Sequence, residues 1–526
     1  MADQASPSLQ VIVLGSGGGP QESNVTAFLV RSIEQDWRKG SLVAVDAGVH
    51  LSAITRLIEE ATPSPTPTSP FTLTSGPFAG LRLPHSTASA NAAHVTRTLV
   101  DTYLITHPHL DHISGFVINT AGLPGTRPKK LAALPSTIQA FKTHIFNNVI
   151  WPNLSDENNG AGLLTYLRLM EGGSPALGDG EGKGYLEVCE GLQVKTWSVS
   201  HGHCLEKHSH RGSTASNPST RYGSHDASSG NFNYTPRRDT YGTPHMQQPM
   251  SRAHSLVNQS FTSGSSPRQP NETGEQGVCV YDSSAYFIQE QTTRREILIF
   301  GDVEPDSVSL SPRNLHIWQE AAPKIAAGAL TAVFIECSYD DAQGNDRLYG
   351  HLKPVFVMEE LRALAAEVEV ARKLRALELS RKKRKRLSVS EEGQRDRRRT
   401  SAARSSAAAE DPVSPKSLRP SLRSTGDVAM RTTSEEGPST PHLATPTEEL
   451  SLHDADIGAM ALPPAAASAP SRPLKGLKVV IIHVKETLSD GPVPGDVILE
   501  QLQEYEEEAQ LGCEFIISKS GQSFYL

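Results

Sequence analysis

The sequence predicts an α/β protein with one domain interrupted by long polar insertions. Short apolar runs, typical of buried strands, alternate with segments of helical periodicity near both ends of the chain. Between them lie stretches rich in Ser, Thr, Pro and Gly that hold too few apolar residues to build a core. No repeat of about 20–50 residues is visible. We therefore expect a single domain over residues 1–526.

The composition excludes several classes of protein. The formal net charge of −8 argues against a surface built throughout for nucleic acid or an anionic membrane. The five cysteines show no CxxC spacing, so we interpret them as reduced thiols. The first residues lack the features of a secretory signal, and no apolar run approaches the roughly 18 residues of a membrane span. We expect a cytoplasmic protein with no membrane partner.

Strands and a helix are predicted at the start of the chain. Apolar runs at 9–16, 24–30 and 42–46 are typical of strands, and a helical pattern follows over 50–60. The stretch GSGGGP at 15–20 lacks the Lys and Ser/Thr of a phosphate-binding loop. We interpret it as a turn beside the functional site.

Three segments are predicted to be disordered insertions. Residues 62–91 are dense in Pro, Ser and Thr, and residues 207–277 are richer still in polar residues. Apolar residues at helical spacing predict a helix from Pro354, which we expect to end at the basic run RKKRKR, 381–386. The polar stretch that begins there makes 381–471 the third insertion.

The last part of the chain resumes the α/β pattern. GLKVVIIHVKE predicts a buried strand, PGDVILEQLQEYEEEAQLG predicts a helix that ends at Gly512, and CEFIISK predicts a final strand.

A cluster of histidines follows a predicted strand near residue 105. The pattern is His107-x-His109-x-Asp111-His112, directly after the apolar stretch 99–105. A tight turn after a strand can aim all four side chains inward. Imidazole nitrogens and a carboxylate are ligands that suit Zn, Mn or Fe better than a thiolate-selective metal. We therefore predict a metal site here.

Clustered ligands alone cannot complete two metal sites, so further ligands are expected at other strand ends. SVSHGH places His201 at the end of an alternating strand, IFGD places Asp302 after an apolar run, and VVIIHV places His483 at a strand end. His203 competes with His201 for the same role. We favour His201 because it follows the strand immediately.

These motifs resemble the metallo-β-lactamase superfamily, which includes many binuclear hydrolases. HPHLDHISG, SVSHG, IFGDVEPD, IECS, GHLKP and GCEFI further resemble the class II cyclic-nucleotide phosphodiesterases, the fungal low-affinity cAMP phosphodiesterase type. The matching blocks are spread over nearly all of the chain that looks ordered. The resemblance implies a metallo-β-lactamase-like αββα sandwich with long disordered insertions.

The resemblance also implies a ligand set and an activity. One divalent metal would be bound by His107, His109 and His201, and a second by Asp111, His112 and His483. Asp302 would bridge the two. Zn is expected, with Mn or Mg as alternatives. A hydroxide shared by the metals would attack cAMP in line and give 5′-AMP, which damps cAMP signalling, with cGMP as an alternative substrate.

Three residues are candidates for catalysis beside the metals. Asp111 is included because its carboxylate lies in the histidine cluster. His351 in YGHLKP is a candidate general acid, and Glu336 in IECSYDD is a candidate partner behind the metal ligands. Related nucleases of this fold carry a His just before that Glu. Here the position is Ile335, so it offers no acid.

Basic runs suggest two further hypotheses. Residues 381–386 could direct the protein to the nucleus, although such runs are more often solvated, unstructured chain. Ser388 and Ser401 each follow basic residues and resemble sites for a basophilic protein kinase, whose phosphate would reduce the local positive charge.

Other functions remain as alternatives. A related binuclear hydrolase could cleave RNA 3′ ends or thioesters, but the basic residues that would grip RNA lie in a stretch predicted to be unstructured, which makes nucleic acid an unfavoured partner. A non-catalytic scaffold of the same fold is disfavoured because all seven candidate ligands are present.

Overall fold

The structure is a computed structural model that describes most of the chain. The described residues are 6–65, 67–123, 125, 127–177, 183–203, 280–401 and 472–526. Within 383–401 the description covers the backbone alone.

Strands and helices follow the alternation that the apolar pattern predicts. The strands are β1 (Leu9–Gly15), β2 (Ala27–Ser32), β3 (Leu42–Ala47), β4 (Phe71–Thr72), β5 (Arg82–Leu83), β6 (Val100–Leu104), β7 (Lys129–Ala133), β8 (Leu164–Arg168), β9 (Leu186–Cys189), β10 (Leu192–His203), β11 (Val280–Glu290), β12 (Glu296–Phe300), β13 (Leu330–Glu336), β14 (Lys478–Ile482), β15 (Glu514–Ile517) and β16 (Ser523–Tyr525). The helices are α1 (Leu51–Ala61), α2 (Ala88–His94), α3 (Leu110–Gly122), α4 (Pro135–Ala140), α5 (Asn314–Ala327), α6 (Pro354–Ser401) and α7 (Pro494–Ala509).

Two seven-stranded sheets lie at the centre of the fold. The first has the order β16-β1-β2-β3-β6-β7-β8, and the second has the order β15-β14-β13-β12-β11-β10-β9. Parallel pairing joins β3, β6, β7 and β8 in the first sheet and β12 to β15 in the second. Parallel neighbours place their carboxyl ends at the same edge, so residues that follow β6, β12 and β14 can meet there.

Three apolar layers hold the two sheets and their helices together. Side chains such as Phe28 and Phe334 pack between the sheets, 6.2 Å apart at their ring centres. Helices α1 to α4 cover the outer face of the first sheet, and α5, the first turns of α6 and α7 cover the second. This is the metallo-β-lactamase-like αββα sandwich that the sequence predicts, and the prediction is confirmed.

The described residues of the predicted insertion 62–91, namely 62–65 and 67–91, are ordered, contrary to the prediction. A short hairpin of β4 and β5 forms here, closed by the backbone bond from Leu73 N to Leu81 O at 3.0 Å. Leu73, Phe78 and Leu81 are buried in the core of the first sheet, where Phe78 packs on Trp37. The segment has few apolar residues, but most of them pack together against the core of the first sheet. Composition averaged over the segment hides that.

Helix α6 also departs from the prediction. It does not end at the basic run 381–386 but continues to Ser401, so both candidate kinase sites, Ser388 and Ser401, lie within it. Lys, Arg, Leu and Glu are good helix formers, and no proline interrupts the stretch. Helix propensity can therefore extend α6 beyond the turns that pack on the second sheet.

The remaining parts of the predicted insertions, 207–277 and 402–471, lie outside the described residues. Contacts divide the chain into one unit formed by 1–372 and 472–526 and a second formed by 373–471. The sandwich therefore belongs to the first unit rather than to the whole of 1–526. In the described ranges, no helix combines the length and the apolar character that crossing a bilayer requires.

Phe78→Ala tests whether residues 62–91 belong to the folded core. Phe78 is fully buried, so its truncation should lower the free energy of unfolding by about 3–5 kcal/mol, measured by urea denaturation. Val149→Ala, at a side chain that is 84% exposed, is the control and should change it by less than about 0.5 kcal/mol. Equal effects of the two substitutions would contradict the packing described here.

Candidate metal centre

All seven predicted ligands meet at the edge where the strand ends of both sheets converge. The residues are His107, His109, Asp111, His112, His201, Asp302 and His483, and we call them the candidate metal centre. The loop after β6 and the first turn of α3 supply the four from the first sheet. Strand β10 and the residues directly after β12 and β14 supply the other three.

Asp302 lies in the middle of this centre. Its Oδ2 atom is 3.5 Å from Nε2 of both His107 and His201. The same oxygen is 3.3 Å from His483 Nε2, and Oδ1 is 3.2 Å from His112 Nε2. Both oxygens of one carboxylate therefore face imidazole nitrogens from both halves of the fold.

The centre divides into two groups that share Asp302. The first consists of His107, His109, His201 and Asp302, and the second of Asp111, His112, Asp302 and His483; the ligand atoms in each lie within 4.8 Å of one another. Ligands about 2.0–2.1 Å from a tetrahedral Zn²⁺ are about 3.3 Å apart. The observed separations of 3.2–3.5 Å around Asp302 agree with that spacing.

Hydrogen bonds behind the histidines fix which ring nitrogen faces the centre. His201 Nδ1 donates to the Gly350 carbonyl at 2.9 Å, and His112 Nδ1 donates to the Asp46 carboxylate at 2.8 Å. Neither acceptor has a proton to give, so each ring carries its hydrogen on Nδ1. The Nε2 lone pairs of these two residues therefore face the centre, where His201 Nε2 also lies 3.3 Å from His109 Nδ1.

Two threonines do the same for the rings of His483 and His107. Thr26 Oγ1 donates to the Gly17 carbonyl, so it accepts from His483 Nδ1 at 2.7 Å. Thr106 Oγ1 donates to Asp46 Oδ2, so it accepts from His107 Nδ1 at 3.0 Å. In its neutral form, each of the four rings around Asp302 therefore presents an Nε2 lone pair to the centre.

Four buried polar atoms at the centre lack a hydrogen-bond partner among the described residues and are placed where a cation would bind. His107 Nε2, His112 Nε2, His483 Nε2 and Asp302 Oδ1 are buried and have no hydrogen-bond partner. Leaving a buried polar atom unsatisfied costs roughly 1–3 kcal/mol, so four in one place are unfavourable unless something binds them. Nitrogen and oxygen donors of this kind suit divalent cations, and the residues present therefore fit such a group.

Burial and charge set the protonation of these groups. Burial holds the pKa of His107 and His483 well below its usual value, because an imidazolium there would lose its hydration. Burial also opposes charge on His112, but Asp302 and Asp46 outweigh it and raise the pKa of His112. Burial opposes charge on Asp302 and would raise its pKa, but His483, His112 and His107 outweigh burial and hold that pKa far below its usual value.

Glu336 and His351 form a pair against the centre. His351 Nδ1 lies 2.9 Å from Glu336 Oε1, and its ring stacks 5.3 Å from the His483 ring. Glu336 also accepts from Val303 N at 2.8 Å and from Ser338 Oγ at 2.6 Å. Burial would lower the pKa of His351, but Glu336 and Asp302 raise it. Two of the three residues predicted for catalysis, Glu336 and His351, are thus in contact with each other.

The structure brings His201 to the centre and not its competitor. His201 is buried, whereas His203, two residues further along β10, is exposed. The Gly-rich turn at 15–20 also lies beside the centre, as predicted. A Cβ atom on Gly18 would stand 2.7 Å from the His483 ring, so only glycine lets the turn pack there.

The residues that accept hydrogen bonds from the Nδ1 atoms of the ligands were not predicted from the sequence. Asp46 could have been found, because it lies near the end of β3 just as Asp302 follows β12, and a strand-end Asp was the criterion for that residue. Thr26 and Gly350 carry no such signal. Their contacts arise only when distant parts of the chain pack together.

Comparisons with known proteins identify the family of this chain. The family model for class II cAMP phosphodiesterases matches residues 9–174, 237–382 and 460–521, which is more than half of the chain. The chain belongs to the class II cAMP phosphodiesterases. The predicted enzyme class, a 3′,5′-cyclic-nucleotide phosphodiesterase acting on a small molecule, is confirmed.

Relatives of this phosphodiesterase include two fungal enzymes. A 3′,5′-cyclic-nucleotide phosphodiesterase of Schizosaccharomyces pombe is 26% identical over 362 residues, which span 69% of this chain and 77% of the relative. One of Candida albicans is 27% identical over 399 residues, 68% of this chain and 83% of the relative. The crystal structure of unliganded yeast PDE1 matches with a TM-score of 0.56 at 17% identity, covering 99% of this chain and 100% of that chain. This last likeness supports the shared fold.

His201→Ala and His203→Ala form a matched pair for the metal content of the phosphodiesterase. Loss of the His201 imidazole should lower the bound divalent metal by about half or more, measured by elemental analysis after dialysis, because one group loses a ligand. His203→Ala should keep the metal content of the native protein. If His203→Ala lost metal and His201→Ala kept it, His203 would be the ligand.

Proposed function

We propose that this phosphodiesterase hydrolyses cAMP to 5′-AMP at the candidate metal centre, with two divalent cations bound. The family description names cAMP, and the relatives' names give 3′,5′-cyclic nucleotides in general. The observation that carries the proposal is the set of buried, partnerless donor atoms around Asp302. These atoms are placed to bind cations and not to form hydrogen bonds with one another.

Each cation is assigned its own ligands. His107, His109 and His201 would hold one, Asp111, His112 and His483 would hold the other, and Asp302 belongs to both groups. Zn²⁺ is the expected ion, with Mn²⁺ or Mg²⁺ as alternatives, since the donors are imidazoles and carboxylates. When bound, such a pair lowers the pKa of water and neutralises the negative charge that shields a phosphodiester.

The chain itself holds Asp302 in place from both sides. The amide of Val303 donates to Glu336, which fixes the backbone just after Asp302. On the other side, a Cβ atom on Gly301 would stand 2.5 Å from Thr106, so the backbone before Asp302 packs directly on the strand end that carries the histidine motif. Asp302 therefore cannot swing away when substrate enters.

Two residues are assigned the proton transfers. When a water oxygen attacks phosphorus, the bond to the 3′ oxygen breaks and that oxygen needs a proton. His351 supplies it, because Glu336 accepts from Nδ1 and favours the charged ring. Asp111 accepts the proton from water. Its side chain is 30% exposed while Asp302 and His112 are buried, so it faces the side that solvent reaches.

A substrate panel tests the proposed function. The purified protein should open cAMP, act less well on cGMP, and leave a thioester and an RNA 3′ end untouched, and a chelator should abolish turnover. Release of 5′-AMP is measured by chromatography. Failure to open either cyclic nucleotide with Zn²⁺, Mn²⁺ or Mg²⁺ supplied would refute the proposal.

His351→Ala tests the assignment of the acid. The variant should lose about 100- to 10,000-fold in kcat for cAMP with KM little changed, because the 3′ oxygen leaves without a proton. Bis(4-nitrophenyl) phosphate, whose leaving group departs as a stable anion, should be hydrolysed at nearly the native rate.

His203→Ala serves as the control with both substrates and should behave as the native enzyme. Equal losses of His351→Ala on the two substrates would show that His351 supports the centre and does not donate the proton.

A further inference from the structure

A basic cavity lies at the opposite edge of the first sheet from the candidate metal centre. It has a volume of about 160 Å³ and is lined by Lys39, Arg97, Arg127 and Lys129, together with Asp101. Nothing in the reaction described above uses these residues.

The topology keeps the two sites apart. Val100 begins β6 and Lys129 begins β7, so the cavity lies at the amino ends of parallel strands. The ligand His107 follows the carboxyl end of β6. Extended chain rises about 3.3 Å per residue, which places the cavity roughly 20 Å from the metal ligands. An anion in the cavity could not touch the metal centre.

Positive charge in the cavity exceeds negative charge. Four cations line it, and the single carboxylate, Asp101, already accepts from Lys130 Nζ at 2.8 Å on its rim. In the part of the chain that the structure describes, no acidic side chain pairs with the Arg97 or Arg127 guanidinium. Like charges gathered around a concave surface repel one another unless an anion lies between them.

Lys129 is the buried element of the cavity. The residue is only 7% exposed, and its Nζ atom donates to the carbonyls of Arg97 at 2.9 Å and Val100 at 2.5 Å. An ammonium carries three donors, so one N–H remains for a ligand. Burial lowers the pKa of Lys129 to about 8, with Lys39 also lowering it, and an anion nearby would favour the charged form.

The wall of the cavity is formed in advance. Gly40, with φ of 74°, turns the chain into β3, and its amide donates to the Thr98 carbonyl at 2.9 Å. The Lys129 amide donates to Leu163 O at 2.9 Å and fixes the start of β7. Binding would therefore need little rearrangement, which reduces its entropic cost.

We propose that this cavity binds a phosphate-class oxyanion, either inorganic phosphate or the phosphate of a nucleotide. Guanidinium groups bind such oxyanions through paired N–H donors, and Arg97 and Arg127 both line the cavity. Pockets that enclose a drug-sized ligand have volumes of roughly 300–1,000 Å³. A cavity of about 160 Å³ holds the phosphate alone and leaves any nucleoside outside.

The proposal is tested by thermal unfolding of the metal-loaded full chain in inorganic phosphate against chloride of equal ionic strength. Phosphate at ten times its Kd should raise the Tm by about 1–3 °C. Arg97→Gln/Arg127→Gln should lose most of that rise. Both side chains are exposed, so the variant should fold and keep its cyclic-nucleotide hydrolysis. Arg82→Gln/Arg372→Gln, which removes two exposed arginines elsewhere, should keep the rise.

Asp302→Asn distinguishes phosphate bound in this cavity from phosphate bound at the candidate metal centre. The variant alters the metal centre alone, so it should keep the rise in Tm that depends on Arg97 and Arg127. In that variant, a rise with 5′-AMP as well as phosphate identifies nucleotides as ligands, and a rise with phosphate alone identifies the inorganic ion. The proposal is overturned if Asp302→Asn abolishes the rise, if Arg97→Gln/Arg127→Gln leaves it unchanged, or if chloride produces the same rise.

Discussion

Burial of one carboxylate among imidazoles is the constraint on which the rest of this structure depends. Asp302 is 2% exposed, and taking a lone carboxylate out of water is costly unless compensating charge surrounds it. Here imidazole nitrogen atoms lie 3.2–3.5 Å away on three strand ends and one helix turn, and cations held between them and the carboxylate would supply the compensating charge. Both sheets must pack in register for these groups to meet.

The residues behind the imidazoles must also be in place. Each of the four imidazoles around Asp302 offers Nε2 because its Nδ1 is engaged by Thr26, Asp46, Thr106 or Gly350. Asp46 accepts from His112 and from Thr106, and so supports two ligands at once. The site is therefore a hydrogen-bonded network with two shells, and its inner shell has the right tautomers because of the outer one.

The sequence predicted the inner shell much better than the outer. His107, Asp302 and His483 follow apolar runs, and a polar side chain at a strand end can be recognised without knowing the fold. Thr26 and Gly350 are ordinary loop and turn residues until tertiary packing places them. The same limit explains residues 62–91, where a few buried side chains such as Phe78 outweigh a polar composition, and α6, where propensity sustains a helix that no core requires.

The donor set of the candidate metal centre also has an electrostatic consequence for turnover. Five of its seven side chains are imidazoles and only two are carboxylates, Asp111 and Asp302. With two dications bound and the rings neutral, the site retains a surplus of about two positive charges. A cyclic diester carries one negative charge, whereas the monoester formed from it carries up to two at neutral pH. With that loading, electrostatics would favour the product over the substrate, so that departure of the nucleotide would slow turnover and the accumulated monoester would compete with the substrate.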